Sequence, residues 1–138
     1  MDRLVEQYHA ALDEFFRGNP EPAVSMYSRR DDVSLANPFG PVVRGLNAVA
    51  QTARLAAKNY RDGEATGFER VSEYVTPSLV CLVEVEHGRA RIGGREDFAS
   101  LSLRVTSIFR REGDAWRLVH RHADPITSPR PAESVVQK

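Results

Sequence analysis

The side chains best suited to chemistry in this sequence lie near its C-terminal end. His120 and His122 stand two positions apart, and Asp124 follows at the same spacing. A histidine that titrates near neutral pH, with a carboxylate to orient its ring, can act as a general acid or base. Arg104 lies between two apolar residues, and a guanidinium buried there would need an acid or an anionic ligand. We therefore take these four as the candidate catalytic residues: His122, His120, Asp124 and Arg104.

Alternation predicts which faces of the strands these side chains share. Successive residues of a strand point to opposite faces, so Trp116 falls on the face of the histidines and Thr106 on the face of Arg104. A hairpin turning at Gly113 would set Arg104 opposite His122. We expect these faces to line one cavity, with Thr106 and Trp116 as ligand-binding residues. A β-bulge in this hairpin would shift the faces by one residue.

A structural role for the same residues stays open. Two alternating histidines can be half-buried side chains bonded to the backbone, and Arg104 can point outward at a dimer interface. Asp124 could join the histidines around a metal ion, but a zinc site needs at least three ligands and this spacing is unspecific. None of the glycines opens a helix after a strand, as a phosphate-binding loop requires. We expect no metal and no cofactor.

An earlier strand carries two acids. Glu84 and Glu86 alternate with an apolar stripe that includes Cys81. We expect Cys81 to be buried and the two acids to lie on a solvated or interface face, with Glu84 as a cavity acid the alternative. His9, beside the apolar stripe of the first helix, is expected at a solvent edge.

Helices come first in the chain and strands follow. Apolar residues recur every three or four positions up to residue 60, and at every second position after Gly63. This pattern predicts helices at about 4–16, 20–27 and 46–60, a short strand at 33–37, and four antiparallel strands at about 64–76, 78–88, 96–110 and 115–124. Helices followed by an antiparallel meander are typical of an α+β fold, and a curled sheet can enclose a cone-shaped cavity against the helices.

Length and composition fit a single domain. The chain has 138 residues, of which 41% are apolar, enough for one sizeable core. We expect one domain over residues 1–125 and a loosely held tail over 126–138. Nineteen Lys and Arg balance nineteen Asp and Glu. Domains that mainly bind nucleic acids are usually basic, so this balance argues against a nucleic-acid partner.

The same composition predicts where the protein works. Cys81 is the one cysteine, which excludes an intrachain disulfide and is typical of a reducing compartment. No run approaches the roughly 18 apolar residues of a membrane span. Charges are scattered through the N-terminus, unlike in a signal peptide. We expect a cytoplasmic protein with no membrane partner.

Two parts of the sequence resemble known families. Residues 5–12 (VEQYHAAL), 36–40 (ANPFG) and Arg44-Gly45 resemble the opening of the ketosteroid isomerases. Residues 103–122 are similar to a SnoaL-like group and to the association domain of calcium/calmodulin-dependent kinase II. These families share the nuclear transport factor 2-like fold, and the resemblance covers residues 3–125. It implies a cystatin-like, cone-shaped antiparallel sheet around N-terminal helices, commonly paired into a homodimer through the outer sheet face.

The resemblance also implies positions for a ligand site. In the isomerases a tyrosine on the first helix and a protonated aspartic acid form an oxyanion hole, and a strand aspartate moves the proton. Tyr8 matches the tyrosine, but Asn37 stands at the position of the base, and an amide cannot take up a proton near neutral pH. We therefore expect no literal steroid isomerase. Tyr8, Asn37 and Tyr60, whose ring faces the predicted core, are candidate ligand-binding residues.

Two functions follow as hypotheses. The first is a pocket protein for a small apolar molecule with a polar or acidic end, and if catalytic, a cofactor-free isomerase, cyclase or hydratase. Tyr8 and Asn37 would then polarise an oxygen, and one of the two histidines would move the proton. The alternative is a non-catalytic dimerisation or binding module like the kinase association domain. A homodimer is expected in both.

Overall fold

The computed structural model describes residues 1–137, in which three helices precede most of a six-stranded sheet. In chain order the elements are α1 (Asp2–Arg17), α2 (Glu21–Met26), β1 (Ser34–Ala36), β2 (Val43–Arg44), α3 (Leu46–Ala57), β3 (Tyr60–Val75), β4 (Leu79–Ile92), β5 (Ala99–Glu112) and β6 (Ala115–Asp124), followed by a short 3-10 helix at Ala132–Val135. The strand order is β2-β1-β6-β5-β4-β3. β1 runs parallel to β6, and the other neighbours are antiparallel.

Helix α1 lies across the inner face of the sheet. Its apolar residues recur at helical spacing, and its buried side chains include Leu4, Tyr8, Leu12 and Phe16. The helix ends at Gly18, whose left-handed backbone (φ 103°) glycine adopts without strain. A Cβ at Gly18 would also lie only 2.9 Å from the carbonyl oxygen of Tyr60. Glycine is therefore required where α1 meets β3.

Strands β3 and β4 curl around α1 because their pairing is interrupted. Three register shifts occur between Arg61 and Ser72, and such bulges bend a strand and increase its twist. Gly63 lies at the tightest point, where a Cβ would come within 2.5 Å of the Ala90 Cβ and 2.6 Å of the Phe16 carbonyl oxygen. The missing side chain lets helix and sheet touch at this end.

The helices and long strands occur where the periodicity predicts them, with shifted ends. Helix α3 stops at Ala57 instead of residue 60, because Tyr60 already pairs with Ile92 in the β3–β4 ladder. Strand β3 therefore begins before its predicted start at residue 64. Asp62 belongs to the bulged start of β3 and has φ 56°.

A β-bulge in the β5–β6 hairpin decides the faces of its side chains. Phe109 pairs with Leu118 and the adjacent Ile108 pairs with His120, so Val119 is an extra residue in β6. Beyond the bulge the alternation of β6 is shifted by one position. The side chains at 120, 122 and 124 consequently point away from the inner face to which Leu118 contributes.

Residues 125–137 follow β6 outside the sheet and are exposed. The domain boundary at residue 125 stays a prediction, and Lys138, the last residue of the predicted tail, lies outside the described residues. None of the helices in residues 1–137 is long and apolar enough to cross a membrane.

Candidate functional site

A largely apolar cavity lies between the helices and the inner face of the sheet. It has about 50 Å³ that the centre of a water molecule can occupy, which suits a ligand of a few heavy atoms. Phe39 lines the cavity, is half exposed, and has its ring 5.9 Å from that of Tyr60, which places it at the opening. The wall is hydrocarbon except for five polar residues: Tyr8, Tyr27, Asn37, Tyr60 and Arg121.

A buried ion pair lies at the polar end of the cavity. The Arg121 guanidinium donates to both carboxylate oxygens of Glu86, at 2.8 Å each. Two parallel bonds of this kind are the strongest geometry for such a pair. The side chain of Glu86 is fully buried and that of Arg121 nearly so. Burial acts to lower the pKa of Arg121, but the charge and hydrogen bonds of Glu86, together with Tyr8 and Tyr27, raise it well above its usual value.

Tyr8 extends this pair into a chain of hydrogen bonds. Arg121 also donates to the hydroxyl oxygen of Tyr8 at 2.6 Å. The same hydroxyl forms a hydrogen bond with Ser107 Oγ at 2.5 Å. Burial raises the pKa of Tyr8, although the charge of Arg121 opposes the rise. Tyr8 therefore remains an uncharged hydroxyl at neutral pH, held between two partners.

Tyr27 brings a further hydroxyl to the cavity, and this one is unsatisfied. It follows α2, is 3% exposed, and its hydroxyl has no hydrogen-bond partner among residues 1–137. Burial raises the pKa of Tyr27, and the neighbouring Tyr8 adds to the rise. Burial likewise raises the pKa of Tyr60 to about 12. Both tyrosines keep their proton across the neutral range and can donate it in a hydrogen bond.

A second polar cluster lies between α1 and strands β3 and β4. The buried carboxylate of Glu84 accepts from His9 Nε2 at 2.8 Å and from Arg70 Nε at 2.9 Å. Burial acts to raise the pKa of Glu84, but the bonds and charges of His9 and Arg70 lower it below its ordinary value. His9 also stacks on Phe68 with ring centres 3.7 Å apart and is 21% exposed, so it lies at the solvent edge of the contact between α1 and the sheet. The cluster ties α1 to the sheet without entering the cavity wall.

Three of the predicted ligand-binding residues lie in the cavity wall: Tyr8, Asn37 and Tyr60. The side-chain oxygen of Asn37 accepts from the backbone N–H of Phe39 at 2.9 Å, which shapes the turn at the opening. Trp116 packs against the core and is not part of the wall. The structure thus brings the first three together and leaves Trp116 outside.

The cavity position predicted for the catalytic candidates is wrong. An open cleft on the outer face of the sheet is lined by Arg104, Thr106, His120 and His122, and Asp124 pairs with Arg104 on the same face. Arg104 stands opposite Asp124 instead of His122 and donates to it from Nε and Nη2, each at 3.0 Å. The physical reason is the bulge at Val119, which reverses the faces of β6 beyond Leu118.

On strand β5, Arg104 and Thr106 point to the outer face for a different reason. Its inner face is occupied by apolar Leu103, Val105 and Phe109, all buried. Arg104 lies between two of them and must therefore point outward. Leu103, Val105 and Phe109 thus belong to the buried inner face and are not available to a second copy of the chain.

The outer polar residues form a cluster that is satisfied within itself. His122 Nε2 donates to Asp124 Oδ2 at 2.9 Å, and Ser34 Oγ hydrogen-bonds with His120 Nδ1 at 2.8 Å. Partial burial lowers the pKa of His120, and the nearby His122 adds to the effect. Within residues 1–137 no three His, Cys, Asp or Glu side chains are placed to hold a metal ion.

The acids of β4 also lie on the face opposite to the predicted one. Glu84 and Glu86 are buried on the inner face, and Cys81 is half-buried on the outer face. One residue in the sequence could have indicated the inner position of the acids. Gly88 follows Glu86 by two positions, so it lies on the same face of β4 as both acids. A Cβ at Gly88 would lie 3.0 Å from the Phe16 ring, so this face must contact α1.

Arg121 and Tyr27 are site residues that the sequence does not single out, and Glu86 was expected on a solvated or interface face. Arg121, Tyr27 and Tyr8 give the cavity hydrogen-bond donors, and Glu86 accepts from Arg121 behind them. The wall holds no His, Asp or Glu side chain among residues 1–137, and both oxygens of Glu86 are already engaged by Arg121. The arrangement can therefore bind and polarise an oxygen atom, but it offers no free group to remove a proton.

The chain matches a known domain family over nearly its whole length. The sequence pattern of the SnoaL-like domain matches residues 2–127. No curated protein matches the sequence significantly.

Solved structures share the fold at low sequence identity. A ketosteroid isomerase-like protein from Erwinia carotovora atroseptica has a TM-score of 0.73 at 14% identity, over 92% of this chain and 94% of that one. A candidate dehydratase of the nuclear transport factor 2-like family from Streptomyces avermitilis has a TM-score of 0.67 at 23% identity, over 89% and 91%. A candidate calcium/calmodulin-dependent kinase II association domain from Thiobacillus denitrificans has a TM-score of 0.68 at 22% identity, over 88% and 91%.

These likenesses confirm the predicted α+β cone, and they show the fold alone, because one fold hosts many activities. The family rests on the match of residues 2–127. The chain belongs to the SnoaL-like family.

Proposed function

We propose that this domain binds a small molecule with an apolar body and one polar or acidic end, in the cavity between α1 and the sheet. The observation that supports this most is the buried Arg121–Glu86 pair, which with Tyr8 lies at the end of a hydrocarbon wall. A buried ion pair contributes little to stability compared with apolar residues of similar size. Recognition of a ligand gives the pair a role that packing does not.

The chemistry within reach is polarisation of a ligand oxygen by hydrogen-bond donors. A cofactor-free isomerase, cyclase or hydratase would also need a proton acceptor beside the ligand. Asn37 is an amide, and His120 and His122 lie on the far side of the sheet. The Streptomyces neighbour is named a candidate dehydratase, but for this chain the donors favour binding over proton removal.

A cavity-filling variant tests the proposal. Ala53 lines the cavity from α3, and Ala53→Leu should fill it. Titration with 3-methyl-2-butanone and with isobutyrate, followed by ¹H–¹⁵N NMR, should shift resonances around Tyr8 and Tyr27 in the wild type. Ala53→Leu should abolish these shifts. Ala10→Leu, the same change on the exposed side of α1, should keep them. Binding of neither compound, or equal binding to Ala53→Leu, would contradict the proposal.

We also propose that the chain forms a homodimer through the outer face of the sheet. Val71, Tyr74 and Leu79 are exposed there, next to half-exposed Val83 and Val85. Contiguous exposed apolar surface of this kind is typical of an interface. The Thiobacillus neighbour is named an association domain. Assembly would then use the outer face and leave the cavity free for a ligand.

Sedimentation equilibrium tests the homodimer. The wild type should sediment as a dimer and Val83→Lys as a monomer, because a charge would be buried without a partner. Leu55→Lys, on the exposed side of α3, should remain a dimer. A monomeric wild type at high concentration would contradict the proposal.

A further inference from the structure

The hydroxyl of Tyr27 is the unpaired donor among the residues that line the cavity. Tyr27 is only 3% exposed, and its hydroxyl is buried with no hydrogen-bond partner among residues 1–137. The hydroxyl of Tyr8 differs, because Arg121 and Ser107 engage it on both sides. A buried hydroxyl without a partner is unfavourable, and a ligand oxygen that accepts its hydrogen would remove that penalty.

The charge of Arg121 is already balanced. Both of its Nη atoms donate to the two oxygens of Glu86, so the pair is neutral as a whole. The bonds to Glu86 and Tyr8 use three of the five N–H groups that a guanidinium carries. Arg121 therefore keeps hydrogen-bonding capacity after its charge has been compensated.

An incoming carboxylate would meet an unfavourable environment here. It would bring a second negative charge near Glu86, inside a hydrocarbon wall where charges are poorly screened. It would also lose its hydration without gaining an unpaired cation. An uncharged carbonyl oxygen avoids the repulsion and can still accept hydrogen bonds from Tyr27 and Arg121.

We propose that Glu86, by cancelling the charge of Arg121, makes the cavity select molecules whose polar end is an uncharged oxygen acceptor, such as a ketone, aldehyde or ester carbonyl, and that Tyr27 donates its hydrogen to that oxygen. This inference rests on the proposed function and narrows it, since that function admits acidic ligands too. Glu86 is then the residue that sets specificity, and Tyr27 is a binding residue.

Two isosteric probes separate the alternatives. 3-Methyl-2-butanone and isobutyrate share a branched hydrocarbon body. The ketone carries a methyl group where isobutyrate carries a charged oxygen. In the wild type, NMR titration should give a dissociation constant at least about tenfold lower for the ketone. Tyr27→Phe should weaken the ketone about three- to tenfold. Tyr74→Phe, the same change at an exposed position of β3, should leave its affinity unchanged.

Glu86→Gln should reverse the preference. It keeps the shape of the side chain and removes its charge, so Arg121 becomes an unpaired cation and isobutyrate should bind at least about tenfold more tightly than it does to the wild type. If this variant does not fold, the ratio of the two probes in the wild type and the effect of Tyr27→Phe decide instead.

The outcomes distinguish this inference from the function on which it rests. Tighter binding of isobutyrate than of the ketone to the wild type would overturn the inference and leave a ligand-binding cavity in place. An unchanged ketone affinity in Tyr27→Phe would overturn the role of Tyr27. Binding of neither probe would overturn both the inference and the proposed function.

Discussion

Two arginine–carboxylate pairs on opposite faces of the sheet make similar bonds in different surroundings. On the inner face Arg121 contacts Glu86, and on the outer face Arg104 contacts Asp124. The inner side chains are 13% and 0% exposed, and the outer ones are 56% and 18% exposed. Water and salt screen an exposed pair, which contributes about 0–1 kcal/mol at the median. In the buried pair each charge depends on the other, because water cannot replace a lost partner.

The difference in burial also separates the two sets of functional candidates. The outer cluster of Arg104, His122 and Asp124 has the residue types of an acid–base site, but it lies in an open cleft where hydration weakens electrostatic effects. The inner group contains no histidine, yet its donors act inside a hydrocarbon wall. Surroundings therefore decide more about chemistry here than residue type does.

The largest expected effect comes from removing one arginine of each pair. Arg121→Met should lower the free energy of unfolding by about 3–5 kcal/mol, because Glu86 would remain buried without a partner. Arg104→Met should lower it by less than about 1 kcal/mol. Urea unfolding of both variants at pH 7 measures the contrast, and equal losses would contradict it.

A double variant identifies the cause of the larger loss. Arg121→Met combined with Glu86→Leu replaces the buried pair by apolar side chains, and such replacements are often neutral or stabilising. Most of the stability lost in Arg121→Met should therefore return. A double variant as unstable as the single one would assign the loss to the packing of Arg121 rather than to an unpaired charge.

The sequence predicted the fold well because periodicity responds to a single core. The stripe of α1 and the alternation of the long strands both reflect contact with that core. The prediction of strict alternation along β6 was wrong at Val119, because nothing in the sequence of β6 indicates a bulge at that residue. One inserted residue was enough to exchange His120 and Arg121 between the two faces.

The buried site could not be predicted because its partners are distant in sequence. Glu84 and Glu86 look like solvated residues until their bases are known. Glu86 pairs with a residue 35 positions away, and Glu84 with His9, 75 positions away. Only Tyr8, Asn37 and Tyr60 could be placed near the cavity beforehand. The family resemblance supplied the positions of Tyr8 and Asn37, and the predicted core-facing ring indicated Tyr60.

A third pair, Arg70–Glu84, tests an intermediate environment, with one side chain buried and one 32% exposed. The bonds and charges of His9 and Arg70 overcome burial and hold the pKa of Glu84 below its ordinary 4.5. The stability that this shift contributes is fully present when the pH is above the ordinary pKa of the unfolded chain. It is lost as the pH falls through the lower pKa of the folded protein. Glu84→Gln should cost about 1–3 kcal/mol at pH 7.

The loss of stability at acidic pH measures the effect of Glu84. Urea unfolding between about pH 6 and pH 2 should show a steep loss of stability in the wild type and a shallower one in Glu84→Gln. Glu133→Gln, at an exposed position of the 3-10 helix, should keep the wild-type slope. Identical slopes in all three proteins would show that the pairing of Glu84 does not lower its pKa.

The smallest expected effect concerns salt at the outer pair. A double-mutant cycle with Arg104→Met and Asp124→Asn should give a coupling of about 0.2–1 kcal/mol at low salt. In 1 M NaCl, where charges are screened beyond about 3 Å, this coupling should approach zero. The corresponding cycle at Arg121 and Glu86 should keep its coupling in high salt, because ions do not enter a buried pair. Both cycles are measured at a protein concentration at which the chain sediments as a monomer, so that no partner protomer covers the outer face. A salt-insensitive coupling at Arg104 would then contradict the screening expected of an exposed pair.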